Sequence, residues 1–118
     1  MPVTESYQAF VVEQMNRVVP DVRAKHMFGG VGLYSADLFF ALIADDIVYL
    51  KADQATQPDF DARGLPPFRP FGEKGTSMRY FQIPEEALEN SDVLREWVDK
   101  AVAVARRARS RPVRRRGS

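Results

Sequence analysis

Short apolar runs joined by very short links constrain the fold of this chain more than any other feature. Three glycines within residues 29–32 lead into strand-forming runs at 31–34, 38–44 and 47–51. The links between these runs have only three and two residues, which forces neighbouring runs into antiparallel hairpins. A phosphate-binding glycine loop needs a helix to open on it. Because strands follow instead, we predict that the glycines are positions of positive φ, a bulge or close backbone approach.

Helical spacing and capping residues predict the elements that flank the hairpins. Thr4 is a suitable N-cap for an amphipathic helix that Pro20 ends, and Ser91 is a suitable cap for a C-terminal helix. The predicted elements are, in chain order, a helix at 4–19, a strand at 22–26, the three strands above, a short helix at 53–63, an extended segment at 65–71, a turn at 72–75, a strand at 76–83, a brief helical turn opened by Pro84 and a helix with Trp97 on its apolar face. This order predicts an α+β fold: an antiparallel β-sheet of about six strands with the N- and C-terminal helices packed on one face.

Charge divides the 118 residues into an acidic body and a basic end. Residues 1–105 hold all 16 Asp and Glu but only 10 of the 17 Lys and Arg, which gives a net charge of −6. The other seven cations are arginines, namely Arg106, Arg107, Arg109, Arg111, Arg114, Arg115 and Arg116. We predict one domain over residues 1–107 and a disordered arginine-rich tail over 108–118. The tail is a candidate contact for nucleic acid, and the alternative is a solubilising tail without a partner.

Composition also restricts the compartment. The chain has no cysteine, which excludes disulfides, thiolate catalysis and cysteine-bound metals and favours a reducing compartment. No stretch approaches the roughly 20 apolar residues that cross a bilayer, and no signal peptide precedes the first helix. We therefore expect a cytoplasmic protein that does not contact the membrane.

The residue types that most often carry catalysis or bind metals are sparse. His26 is the only histidine, and no nucleophile or second ligand lies near it in sequence. Asp45 and Asp46 occupy a two-residue hairpin link, where Asp is common. Asp59 and Asp61 lie about 200° apart on a short helix, which favours a solvated surface over a metal site. We therefore predict no catalytic residue, no metal site and no cofactor, and hence a protein that is not an enzyme.

Three cations on the predicted hairpin of the last two strands are candidates for binding. Arg69 and Arg79 lie on the paired strands, with Lys74 at the tip. This arrangement is a candidate contact for an anion or for an acidic partner surface. The alternative is a solvated hairpin face.

Adjacent aromatic residues predict a second apolar surface. Phe39 and Phe40 are neighbours on one strand, so one ring should enter the core and the other should cover the opposite face. Together with Tyr34 and Tyr49, they are candidates for a homodimer surface. Trp97 is predicted to anchor the core.

The glycine segment 27–34 and the run 39–53 closely resemble the N-terminal domain of the TfoX/Sxy family, whose members are associated with regulation of competence genes in bacteria. The resemblance continues through further segments and covers about residues 5–107, with matches at 58–60, 74–75, 78–80, 83–86 and the helix of Trp97. Longer members carry a second, C-terminal domain, and the residues after 107 are too few to supply one.

The resemblance implies a regulatory or adaptor module that acts in transcription through protein contacts, by touching a DNA-bound activator or polymerase. The alternative from the residues themselves is sequence-independent nucleic-acid binding through the arginine tail. A third hypothesis is an anion- or small-molecule-binding domain that uses the glycine turn with Arg69, Lys74 and Arg79.

Overall fold

An antiparallel sheet with the two long helices on one face forms the body of the protein, as the sequence predicts. The computed structural model describes residues 3–27, 29–70 and 78–110. The elements in chain order are α1 (Glu5–Asn16), β1 (Val22–Met27), β2 (Gly30–Ser35), β3 (Leu38–Ala44), β4 (Ile47–Lys51), α2 (Gln57–Ala62), β5 (Pro67–Phe68), β6 (Met78–Gln82), a 3₁₀ helix (Glu85–Glu89) and α3 (Ser91–Ser110). The strands are ordered β1-β2-β3-β4-β6-β5, and every neighbouring pair is antiparallel.

Left-handed turns close the hairpins between β2 and β3 and between β3 and β4. Ala36 and Asp37 have φ of 47° and 72°, and Asp45 and Asp46 have φ of 54° and 56°. Positive φ at both central residues gives a turn whose twist matches that of the paired strands. Asp45 and Asp46 therefore form a hairpin turn, as predicted. The first link has two residues rather than the predicted three, because Ser35 belongs to β2.

The glycines serve the backbone of the sheet. Gly29 has φ of 77° in the turn that joins β1 to β2. Gly30 is instead a strand residue paired with Met27, and a Cβ added there would lie 2.6 Å from the carbonyl oxygen of Ile43. Close backbone approach, one of the three predicted alternatives, therefore accounts for Gly30, which does not have a positive φ.

Adding a methyl group at Gly30 should destabilise the fold. We expect Gly30→Ala to lower the free energy of unfolding by about 1–3 kcal/mol, because the new Cβ meets backbone that cannot move aside cheaply. Gly32→Ala is the matched control, because its nearest contact would be the end of the flexible Met27 side chain, which can move aside. Urea unfolding of both variants measures the difference. Equal stability of Gly30→Ala and wild-type protein would contradict the close approach.

A β-bulge in β3 assigns the two adjacent phenylalanines to different faces. Leu33 pairs with Ala41 and Tyr34 pairs with Phe39, so Phe40 is the extra residue. Phe40 and Ala41 are both fully buried in the core, whereas Phe39 lies on the opposite face. The prediction of opposite faces is confirmed. Phe40 is therefore removed from the candidate homodimer surface, because a core ring cannot contact a second chain.

The core lies between the sheet and the helices α1 and α3. Val11 and Met15 of α1 pack there with Leu94 and Val98 of α3, and Trp97 is only 6% exposed. The predicted core position of Trp97 is thus confirmed.

Local hydrogen bonds fix where the helices begin. The Thr4 hydroxyl accepts from the N–H of Tyr7, which confirms the predicted cap of α1. Asp46 holds that cap in place, because its carboxylate accepts from the N–H and the hydroxyl of Thr4 at 2.9 and 3.1 Å. α3 is capped by Asn90 rather than Ser91, because the Asn90 side-chain oxygen accepts from the N–H groups of Asp92 and Val93. The prediction of Ser91 as the cap is therefore wrong by one residue.

The largest other differences from the predicted boundaries are in α1 and α2. α1 ends at Asn16, three residues before the predicted end. α2 begins at Gln57 because residues 53–56 form a turn, in which the Asp53 carboxylate accepts from the N–H of Thr56. β5 lies at the edge of the sheet, as its prolines predict. The predicted turn at 72–75 lies outside the described residues.

Candidate functional site

The sheet face opposite the long helices carries aromatic side chains, and we call it the aromatic face. Its rings belong to Tyr34, Phe39, Tyr49, Phe68 and Tyr80. The Tyr34 and Phe39 rings stack at 5.0 Å with 22° between their planes. The ring centroids of Phe39 and Tyr80 are 5.6 Å apart, and those of Tyr49 and Phe68 are 5.0 Å apart. These rings come from five strands, and within the described residues no side chain of α1 or α3 joins their cluster.

Lys51 is half-buried among these rings. Its ammonium nitrogen lies 5.6 Å from the Phe39 ring centroid and 5.3 Å from that of Tyr80, and it donates to the Tyr80 hydroxyl at 3.2 Å. Cation–π contacts of this length favour the charged form of lysine. Burial opposes them and lowers the pKa of Lys51. Within the described parts of the chain, no carboxylate lies within ion-pair distance of Lys51.

Tyr80 remains a neutral phenol at neutral pH. Burial raises its pKa to about 12, and the nearby Tyr34 hydroxyl adds to the shift. The Tyr80 oxygen is therefore available as a hydrogen-bond acceptor for Lys51. The pair orients the lysine without neutralising it.

A small apolar depression lies at the other end of the aromatic face. It encloses about 30 Å³ and is lined by Met27, Gly30, Leu42, Ala44 and Phe68, among others. The depression exists in part because Ala44 is small and leaves space that a larger side chain would fill.

A second feature is a polar cleft beside the C-terminal end of α3. The cleft has a volume of about 440 Å³, and its walls include Asp53, Arg79, Val104 and Ala108. Arg107 donates to one carboxylate oxygen of Asp53 through two nitrogens, at 2.8 and 3.1 Å. The structure thus places Arg79, a member of the predicted hairpin cluster, beside the helix that carries the C-terminal arginines.

The Asp53 carboxyl titrates below its ordinary range. Burial alone would raise its pKa, but hydrogen bonds from Arg107 and from the N–H groups of Thr56 and Ala55 outweigh burial. The net pKa is therefore lowered. This ion pair and turn fix the last turns of α3 against the start of the segment that leads into α2.

Breaking this pair should cost a small and pH-dependent part of the stability. We expect Arg107→Ala to lower the free energy of unfolding at pH 7 by about 0.5–1 kcal/mol, because both partners are partly exposed. Since the folded pKa of Asp53 is lowered, its contribution is present above the unfolded value of about 3.9 and is lost as pH falls through the folded value. Urea unfolding at a series of pH values should show the variant's full deficit at pH 7 and a deficit that shrinks as pH falls below about 3.9. Arg106→Ala, an exposed neighbour, is the control, and an equal deficit there would contradict the role of the pair.

The predicted binding residues are only partly within the described structure. Arg69 follows β5 and is exposed, Arg79 lies in β6 and is exposed, and Lys74 lies outside the described residues. Arg106, Arg107 and Arg109 belong to α3, whereas Arg111, Arg114, Arg115 and Arg116 lie outside the described residues. Both sets therefore stay predictions, as does the domain boundary at residue 107.

His26 is an exposed residue of β1, the edge strand at the other side of the sheet. It faces a shallow groove beside α1 that is also lined by Glu5, Glu13 and Ala24. No group of three or more His, Asp or Glu in the described ranges is arranged to hold a metal ion. None of the described helices combines the length and the apolar character needed to cross a membrane.

The sequence model of the TfoX N-terminal domain matches residues 13–105. The chain belongs to the TfoX N-terminal domain family. The matched region begins within α1 and ends in α3, so it includes the whole sheet and every ring of the aromatic face. The TfoX N-terminal domain family is not a known enzyme family. No curated protein matches the chain.

Sequence reasoning missed Lys51 and Asp53. A signal for Lys51 was present: it lies two residues after Tyr49 on one strand, and residues two apart share a face. Asp53 had no comparable signal, because its partner Arg107 lies 54 residues away in sequence.

Proposed function

We propose that this TfoX N-terminal domain is a non-enzymatic, cytoplasmic regulatory or adaptor module that acts through protein contacts in competence-type transcription control. Family membership supports a regulatory role of this type. The observation that carries the mechanism is the aromatic face, which none of the described helices covers. Tyrosine and other aromatic side chains at such positions supply large contact areas and polar tips, and they are enriched at protein interfaces.

The arrangement of the rings suits a contact surface. The rings of Tyr34 and Phe39 brace each other, so little side-chain freedom remains to be lost when a partner binds. Tyr34, Phe39 and Tyr49 are each partly exposed, whereas Tyr80 and Phe68, which contact them from β6 and β5, are buried. The partly exposed rings are candidates for direct contact, and the buried ones support them.

Affinity capture from the native host tests this proposal. The tail-neutral variant replaces six arginines by glutamine and retains Arg107, because Arg107 pairs with Asp53. The six are Arg106, Arg109, Arg111, Arg114, Arg115 and Arg116. We expect one protein partner to be captured equally by the full chain and by the tail-neutral variant, with or without nuclease. Loss of the partner on nuclease treatment or in the tail-neutral variant would contradict an adaptor that works through protein contacts.

The second candidate function is sequence-independent nucleic-acid binding led by the C-terminal arginines. The observation that favours it is the position of Arg79 in the cleft beside the last turns of α3, which extends the basic end onto the domain. The net charge of −6 on residues 1–105 opposes it, because the body repels a polyanion.

A non-enzymatic role predicts that the single histidine is dispensable. His26 is exposed and pairs with the core residue Val31, so it lies on the sheet face opposite the aromatic face. His26→Ala should therefore keep the thermal midpoint and the regulatory output of the wild type. A transcriptional reporter in the native host, paired with a thermal melt, measures both. A variant that melts like the wild type but has no reporter output would reveal a histidine-dependent activity.

A further inference from the structure

Lys51 is a charged group of the aromatic face whose charge is only partly stabilised by its neighbours. Two ring faces and one phenol oxygen surround its ammonium, and no carboxylate among the described residues pairs with it. These contacts replace only part of the water that a lysine loses on burial. The lowered pKa reflects that deficit.

This setting restricts what can cover the face. An apolar surface placed over Lys51 would remove its remaining water and leave a buried charge unpaired, which strongly disfavours binding. A partner that brings a carboxylate would instead complete a charge-assisted hydrogen bond in a water-poor site. The lysine thus selects for an acidic group and against an apolar one.

The apolar depression adds a second point of recognition at a defined spacing. Ala44, which lines the depression, pairs with Ile47 of β4, and Lys51 lies four residues further along that strand. At about 3.3 Å per residue, Ala44 and Lys51 are about 13 Å apart along the strands. An extended segment with an apolar and an acidic residue four positions apart spans this distance with both side chains on one side.

We propose that the aromatic face binds an extended acidic segment of another protein, which places a carboxylate on Lys51 and an apolar side chain in the depression lined by Leu42, Ala44 and Phe68. The inference rests on the proposed adaptor function and specifies its partner by chemistry.

A protein segment fits this face better than nucleic acid does. Stacking of bases needs open ring faces, but one face of Tyr34 is turned to Phe39, and Lys51 lies over Phe39 and Tyr80. A phosphate chain also needs several unpaired cations. Among the described cations on this face, Arg23 of β1 is already paired with Asp21 at 3.1 Å, which leaves few cations for a phosphate chain.

Peptide selection on the full-length chain tests the proposal. Random peptides displayed on phage are selected on the immobilised protein, and the enriched sequences are synthesised and titrated in solution. We expect enriched peptides to carry an Asp or Glu four positions from an apolar residue. Changing that acid to its amide should weaken binding by about 10- to 100-fold, as for loss of a hydrogen bond to a charged group.

Variants of the chain assign the effect to Lys51. Lys51→Met should weaken binding of the acidic peptide by a similar factor and abolish the preference for the acid over the amide. Lys51→Arg should keep that preference. Lys25→Met is the matched control, because Lys25 is an exposed cation on the same sheet face. The affinity of the Lys25→Met variant for the acidic peptide should stay within about twofold of wild type, since an exposed charge contributes little. Tyr34→Ser should weaken the binding of every selected peptide without changing the preference for the acid over the amide.

Other outcomes would overturn the inference. These are selection of no peptide above background, selection of peptides without an acid, and an acid preference that survives Lys51→Met. Two alternatives are tested directly. A dT oligonucleotide bound in a Lys51-dependent way at physiological salt would identify a nucleic-acid surface, and a dimer dissociated by Tyr34→Ser would identify a second copy of this chain as the occupant.

The inference can fail separately from the proposed function. A partner captured from the host by both wild type and Lys51→Met would remove this inference and leave the adaptor role intact. Peptides recognised through Lys51, with no partner captured from the host, would remove the adaptor role instead.

Discussion

Replacing Trp97 by alanine should lower the free energy of unfolding by about 3–5 kcal/mol. The indole is 6% exposed and packs against Phe60 of α2 at 5.0 Å, and Phe60 in turn stacks on Phe81 of β6 at 5.2 Å. Through Phe60, Trp97 therefore connects α3 to α2 and to the sheet. Because a domain is stable by only about 5–15 kcal/mol, this loss removes a large share of the total.

The measurement is urea unfolding followed by far-UV circular dichroism, since Trp97 is the only tryptophan and its loss removes the fluorescence signal. Phe10→Ala is the control, because the Phe10 side chain is also large and apolar but is 38% exposed. Its effect should stay below about 1 kcal/mol. A Trp97→Ala loss as small as that of Phe10→Ala would contradict the packing described above.

If the C-terminal arginines bind nucleic acid, binding to unrelated duplexes should fall by about 10³-fold between 50 and 200 mM salt. Arg107 is held by Asp53, so six arginines remain to release counterions, each contributing roughly 0.9 to the slope of log affinity against log salt. The tail-neutral variant should then show no measurable binding, because it removes those six charges while the Asp53 pair keeps α3 in place.

One control variant and the opposite expectation of the adaptor function make this titration decisive. Arg107→Ala alone should leave DNA affinity nearly unchanged if the pair with Asp53 persists in the complex. The adaptor function predicts a different result, namely negligible DNA binding by the full chain at physiological salt. Tight, sequence-selective binding by the tail-neutral variant would contradict both functions.

The order of elements follows closely from the sequence. Strands β3 and β4 have the predicted limits, because apolar runs bounded by two-residue Asp-containing links leave one pairing that buries a face. The start of α1 was likewise predictable from Thr4. These features depend on neighbours in sequence.

What the sequence did not show depends on contacts between distant residues. The bulge at Phe40 arises from the pairing of β2 with β3, and it moves Phe40 into the core together with Ala41. The start of α2 depends on a turn held by Asp53, whose partner Arg107 comes from the end of the chain.

The candidate site was predicted in part. Tyr34, Phe39 and Tyr49 were identified as a second apolar surface from strand alternation alone. Lys51 was not, because only the pairing of β4 with β6 brings Tyr80 beside it.

Photo-crosslinking in the native host tests the central claim most directly, which is that the aromatic face contacts a protein partner. A benzophenone amino acid replaces Tyr34 on this face or, as the control, the exposed Ser6 of α1. We predict one protein adduct from position 34, resistant to nuclease, retained in the tail-neutral variant and absent from position 6. Adducts to nucleic acid from position 34, or the same protein adduct from both positions, would contradict the account.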